Sequence, residues 1–269
     1  MMKGRLHVTR QGRGPDLVLL HGWGLHGGVW ETLAARLGRR ARVHRVDLPG
    51  HGKSPPVPGG WSAWVAALAE VVPRGAIVGG WSLGAQLALA LAAAYPERVC
   101  GLVLVSATPR FVAGDGWPLG IAAAVLERFQ AELARDPGAT LERFLVLVAR
   151  GAARPRALLE RLRAVRGASS RPAVEALAAG LQFLQDNDLR CLVARVNCPV
   201  QVIHGEPDEI VPAQAGAWLA SRLPGARLAL VPGGGHAPFL AEQQVCARLF
   251  ERFVEWIHDE PGRFPLSHR

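Results

Sequence analysis

Short apolar runs alternate with longer stretches of helical period along most of this chain. The runs at 17–20, 43–47, 76–78, 99–105, 200–204 and 228–231 are continuous, rich in Val and Leu, and bounded by Gly, Pro or Asp. Unbroken runs of this length suit strands covered on both faces. Helical patterns lie between most of them, at 30–37, 61–72, 83–95 and 213–223, with a last one over about 240–257. This alternation predicts an α/β fold, a mostly parallel, doubly wound sheet with helices on both faces. One stretch breaks the rhythm. From 109 to 188 no strand is legible, and three or four helical segments, around 121–134, 141–149, 156–165 and 174–185, are separated by Pro137-Gly138, Pro155 and Arg171-Pro172. It reads as a helical cap inserted into a core made of residues 1–108 and 189–260, with 261–269 as a loose tail.

Composition adds bounds. The 269 residues, 49% of them hydrophobic, suffice for one large domain with an insertion. The opening Met1-Met2-Lys3-Gly4-Arg5 has no apolar signal core and no later stretch is long and uncharged enough to span a bilayer, so a cytoplasmic protein with no membrane contact is expected. Cys100, Cys191, Cys198 and Cys246 show no metal-site spacing, which predicts reduced, mostly buried thiols and no metal. The net charge of +9 admits an acidic partner, but only Lys3 and Lys53 are lysines, and an Arg-rich composition by itself accounts for such a charge. The arginines are spread over the chain without a nucleic-acid motif, so no nucleic acid is expected.

The chemistry centres on Gly80-Trp81-Ser82-Leu83-Gly84. An apolar strand precedes this Gly-x-Ser-x-Gly and a helix follows it, the context in which a serine sits on a strained, exposed turn. The competing reading is a Gly/Ser loop that matches by chance. A serine hydroxyl is a poor nucleophile until an oriented base takes its proton. His236, in Gly233-Gly234-Gly235-His236-Ala237-Pro238 after the last strand run, fits that role best. His258 and His268 are too near the tail, and His7, His44 and His204 lie in or beside strands. His21, His26 and His51 sit in early loops. Three carboxylates compete for the acid in Gly205-Glu206-Pro207-Asp208-Glu209-Ile210-Val211-Pro212, and Asp208 is preferred because Ile210-Val211-Pro212 anchors the loop beside it. A turn or helix-capping aspartate is the alternative for Asp208. The N–H groups of Leu83 and Trp23 are the expected donors to an oxyanion, with the Trp23 side chain lining the acyl site.

These motifs resemble the α/β-hydrolase superfamily. His21-Gly22-Trp23-Gly24, Asp47-Leu48-Pro49-Gly50-His51-Gly52-Lys53-Ser54, the Ser82 pentapeptide, Gly205-Glu206-Pro207-Asp208 and Gly235-His236-Ala237-Pro238-Phe239 follow the superfamily's order over nearly the whole chain. A closer resemblance is to the carboxylesterases of biotin synthesis, which hydrolyse the methyl ester of pimeloyl-acyl-carrier protein. It rests on Trp23, Trp81, Ser106-Ala107-Thr108-Pro109, Trp117-Pro118, Leu141-Glu142-Arg143-Phe144-Leu145, Gly180-Leu181 and Asp188-Leu189-Arg190. The resemblance implies a monomeric serine esterase without cofactor, whose catalytic residues are Ser82, Asp208 and His236. It also implies an acyl site lined by Trp23, Ser82, Leu83, Phe144, Leu145, Val146, Leu147, Val148 and His236, and an acyl-carrier protein as partner. From Arg150 to Arg171 there are seven arginines and one acid, Glu160. Leu158, Leu162 and Val165 share one helical face, which leaves Arg156 and Arg163 opposite. Arg143, Arg154, Arg156 and Arg163 are the expected carrier contacts, against an ordinary solvated arginine face as the alternative. A general short-chain esterase or thioesterase, a haloperoxidase-like or C–C-bond hydrolase, and a non-catalytic carrier-binding protein on the same scaffold stay open.

Overall fold

The computed structural model describes residues 5–259; the stretch expected to be a loose tail lies outside them. Among the described residues seven strands form one sheet: β1 (Val8–Gln11), β2 (Asp16–Leu20), β3 (Arg42–Val46), β4 (Ala76–Trp81), β5 (Val99–Val105), β6 (Val200–Glu206) and β7 (Arg227–Pro232), in the order β1-β3-β2-β4-β5-β6-β7. Six of them match the apolar runs. β1 is the one the hydrophobic pattern misses, because Val-Thr-Arg-Gln is short, polar and half exposed. It pairs antiparallel with β3, Val8 opposite Val46, and closes one edge, whereas all other pairs are parallel. An edge strand needs only one buried face and so carries no continuous apolar signal.

Ten α-helices accompany the sheet: α1 (Glu31–Leu37), α2 (Gly60–Val71), α3 (Leu83–Ala94), α4 (Ala123–Arg135), α5 (Pro137–Ala149), α6 (Pro155–Gly167), α7 (Val174–Asp186), α8 (Ala213–Arg222), α9 (Pro238–Ala241) and α10 (Gln243–Asp259), among the described residues. α3 is buried almost all round, which explains its Ala- and Leu-rich sequence; its one polar side chain, Gln86, donates to the Thr108 carbonyl at 3.2 Å. α10 buries Cys246, Ala247, Phe250, Phe253 and Val254 along one stripe. Removing each large apolar side chain from water is worth about 1.5–3 kcal/mol. The stretch between β5 and β6 contains four of these helices, α4 to α7, each begun or ended near the Pro and Gly signals. Asp136 caps α5 by accepting from the Ala139 N–H at 2.9 Å, a common device for satisfying a helix start.

All four cysteines are free. Cys198 and Cys246 are buried, Cys100 is half-buried and Cys191 is exposed. Burial pushes the thiols of Cys198 and Cys246 up to about 12, so neither is a ready nucleophile. No helix of the described residues is long and apolar enough to cross a membrane.

Candidate active site

β4 runs directly into α3 through Ser82, whose backbone takes φ 53° and ψ −116°. A non-glycine residue there stores about 1–3 kcal/mol of strain. The turn closes because neither flanking glycine has a side chain. A Cβ on Gly84 would lie 2.5 Å from the carbonyl oxygens of both Leu20 and His21, and one on Gly80 would run into the backbone of Gly84 and Ala85. The Ser82 N–H donates to the Val105 carbonyl at 3.0 Å, which ties the elbow to the neighbouring strand end. Gly84→Ala is therefore expected to destabilise the protein by at least about 3 kcal/mol, read as a lower urea midpoint. An unchanged midpoint would mean that β2 and α3 part freely.

His236 Nε2 lies 3.1 Å from Ser82 Oγ, and its Nδ1 lies 2.8 Å from Asp208 Oδ2. With Nδ1–H donating to the carboxylate, Nε2 is left as the acceptor that faces the serine hydroxyl. Asp208 also takes the Ile210 and Val211 N–H groups on Oδ1, each at 2.9 Å. The turn-capping aspartate and the histidine partner are thus one residue: one oxygen holds the loop, the other holds the imidazole. Burial raises the Asp208 carboxyl, but the adjoining imidazoles of His236 and His204 outweigh it and hold the group well below the usual carboxylate range. Glu206 is half-buried and Glu209 exposed, and neither meets His236.

Two buried tryptophans brace this arrangement. Trp81 Nε1 donates to the His236 carbonyl at 2.7 Å and fixes the backbone that carries the imidazole. Trp23 Nε1 donates to the Leu177 carbonyl of α7 at 2.8 Å, and its ring meets Phe129 and Phe144 edge-on at 5.7 and 5.0 Å. Trp23 thereby joins the loop after β2 to helices of the inserted stretch. His21 holds the same loop from below: its Nδ1 lies 2.7 Å from the Gly22 carbonyl and its Nε2 accepts from the Leu48 N–H at 2.9 Å. Burial, then the neighbouring His51, pushes His21 well below its ordinary value, consistent with that tautomer. Leu83 is the first residue of α3, where helical N–H groups have no intrahelical acceptor and attract negative charge.

A cleft of about 750 Å³, its mouth included, opens beside Ser82. Trp23, Phe144 and Leu147 line it, as do Phe111, Ile121, Val125, Leu126, Phe129, Leu181, Leu184 and Ile210, with Glu209 as the one charged group. A cleft of this size and polarity fits a small or medium apolar ligand. Leu145, Val146 and Val148 are not among its lining residues, and Leu145 and Val148 are wholly buried. Helical geometry accounts for Leu145 and Val146, which lie between residues 144 and 147 and off the face those two share; Val148, one turn on from 144, is buried in the core instead. The residues missed from the sequence stand at similar spacings, 121, 125 and 129 leading into and along α4 and 181 and 184 on α7, a signal that marks buried packing equally well.

The arginines divide. Arg143 pairs with Glu132 at 2.6 Å, Arg163 pairs with Glu142, and Arg166 meets Glu142 at 2.8 Å. Arg154 and Arg156 are exposed and enter no ion pair among the described residues. The acids lie on α4 and α5, outside the window in which the arginines cluster.

A nucleophile elbow at the end of a central strand, with its acid and histidine after later strands in that order, defines an α/β-hydrolase. The chain belongs to that family: it matches the alpha/beta hydrolase family over residues 17–249. It is 45% identical over 239 residues to the pimeloyl-[acyl-carrier protein] methyl ester esterase of Nitrosomonas europaea, covering 88% of this chain and 94% of that protein. To the protein of the same name from Aromatoleum aromaticum it is 45% identical over 245 residues, covering 89% and 98%. Among solved structures, an esterase from Exiguobacterium antarcticum superposes with a TM-score of 0.85 at 23% identity, covering 93% of this chain and 95% of that one. At that identity the likeness speaks for the fold alone.

Proposed function

We propose that this chain is a serine carboxylesterase that hydrolyses the methyl ester of pimeloyl-acyl-carrier protein in biotin synthesis, as a cytoplasmic monomer. The observation that carries the reading is the continuous hydrogen-bonded line Ser82, His236, Asp208 at the wall of an apolar cleft. The high identity to esterases with that named substrate supports the choice of ester.

Ser82 Oγ attacks the ester carbonyl while His236 Nε2 takes its proton. The carbonyl oxygen becomes an oxyanion held by the Trp23 and Leu83 N–H groups. Collapse of the intermediate breaks the bond to the methoxy group, and His236 returns the proton to the departing methanol. Water then attacks the acyl-enzyme with His236 again as base, and Ser82 and a carboxylic acid are released. Asp208 keeps the imidazole in the required tautomer and stabilises its cationic form. The stretch 109–188 acts as a cap over the core, and Trp23 ties the two together through Leu177. The acyl chain lies along Phe144, Leu147 and the apolar residues of α4 and α7.

A carrier protein is acidic, and exposed arginines on α6 offer it a complementary rim. Among the described residues Arg156 enters no ion pair, and Arg163 and Arg166 share a single carboxylate, Glu142. Reversing Arg156 and Arg163 to Glu is expected to lower kcat/KM for the carrier-bound methyl ester by about 10- to 100-fold at low salt, with little change for p-nitrophenyl butyrate. The test compares both substrates across ionic strength. Equal losses on both, or rapid p-nitrophenyl acetate cleavage with no action on the carrier ester, would leave a general short-chain esterase.

A further inference from the structure

Asp208 Oδ2 faces two imidazoles. One belongs to His236. The other belongs to His204, whose Nε2 lies 3.3 Å from the same oxygen and 2.9 Å from the Val211 carbonyl. The His204 and Asp208 side chains are both fully buried. His204 Nδ1 has no hydrogen-bond partner among the described residues. It lies against Gly216 of α8, where any Cβ would run into it. Both neighbours of Nε2 are acceptors, so Nε2 carries the proton and Nδ1 is bare; a proton on Nδ1 would be buried without an acceptor. The titratable groups facing this ring are Asp208 from its own loop and, through that carboxylate, His236 from the loop after β7. α8 presents Gly216, and the paired strand β7 presents Leu230 opposite His204.

We propose that His204 is a positioning residue for the reaction: its Nε2–H, shared between the Val211 carbonyl and Asp208 Oδ2, holds the carboxylate on His236 and sets how much negative charge that imidazole meets. The geometry reaches from residue 204 to residues 208 and 211 and so closes the loop on itself. Backbone donors hold one carboxylate oxygen and His204 the other, which leaves Asp208 a single orientation. A donor shared onto Oδ2 also draws charge away from the oxygen that stabilises the imidazolium. Both effects act on the base, and neither requires His204 to touch the substrate. The inference rests on the reading of Ser82, His236 and Asp208 as the catalytic line.

The test uses full-length protein with His204→Gln, His204→Asn and His204→Phe, and Asp208→Asn as control. The Gln amide nitrogen reaches about where Nε2 stands, whereas Asn and Phe provide no donor there. For p-nitrophenyl butyrate, the Asn and Phe variants are expected to lose about tenfold in kcat with KM within about twofold of the parent. Without the shared donor Asp208 stabilises the imidazolium more, so the acid limb of kcat/KM moves up by about half a pH unit. The Gln variant is expected to retain the parent limb and most of kcat. If the Phe variant fails to fold, the Asn and Gln pair decides. A limb that stays in place in every folded variant, with kcat unchanged or lowered without rescue by Gln, would overturn the proposal and leave His204 a packing residue. An active Asp208→Asn variant would overturn the catalytic line and this inference together, whereas its collapse beside a neutral His204→Asn would sink this inference alone.

Discussion

Ser82→Ala is expected to lower kcat for ester hydrolysis by about 10⁵- to 10⁶-fold while leaving the melting temperature within about 2 °C of the parent. The size follows from what the hydroxyl does. Its Oγ stands 3.1 Å from His236 Nε2, so the attacking atom and its base are already in hydrogen-bond contact, and removing one ends covalent catalysis. The residual rate measures what oxyanion donors and binding supply to a water attack. The fold is spared because alanine keeps the Cβ and meets the same strained φ of 53° that serine already tolerates. The assay pairs p-nitrophenyl butyrate turnover with labelling by a fluorophosphonate probe. Retained turnover, or labelling elsewhere in the chain, would remove Ser82 as nucleophile.

Asp208→Asn is expected to cost about 10³- to 10⁴-fold in kcat near pH 7. The asparagine oxygen is able to keep the Ile210 and Val211 N–H groups, which now hold Asp208 Oδ1 at 2.9 Å each. Its NH₂ then faces His236 Nδ1 and presents a donor where an acceptor is required. The imidazole switches tautomer, Nε2 carries the proton, and Ser82 loses its acceptor. Stability responds to pH as well. Against burial, which raises it, His236 and His204 hold the Asp208 carboxyl well below its ordinary value, so the folded state favours the charged form. That contribution is complete above the unfolded value of about 3.9 and fades as pH falls through it towards the folded one. Urea unfolding is therefore expected to find the parent more stable than Asp208→Asn at pH 7, with the gap narrowing below about pH 4. A gap that widens in acid would contradict the sign of the shift.

Much of the candidate site was legible because it is local. Gly80, Ser82 and Gly84 crowd into one turn, and the clashes that a Cβ would meet there come from sequence neighbours and from the adjoining strand end. His236 and Asp208 stand just beyond apolar runs, and parallel strands gather such loops at one edge of the sheet. His204 lies within β6, and its approach to Asp208 depends on a turn that returns Val211 to it, which no local pattern declares. The cleft was half legible. Phe144 and Leu147 are expected there, and Leu145 and Val148 with them, because the all-apolar segment 144–149 does not declare which face meets the ligand. The sequence offers Arg143 and Arg163 as carrier contacts but does not show their ion-pair partners Glu132 and Glu142, which come from neighbouring helices.

By itself the sequence determined the strand and helix alternation, the break in it between β5 and β6, and the residue types able to do acyl chemistry. Period, chain punctuation and the steric needs of a tight turn are properties of short segments and survive without tertiary contacts. Only the tertiary structure decided that β1 closes the sheet edge, that Trp23 bridges the loop after β2 to α7, and that two imidazoles share Asp208. It alone divided the arginines into paired and unpaired. These depend on distances between residues far apart in the chain, which are set when buried polar groups must find partners and apolar faces must find cover.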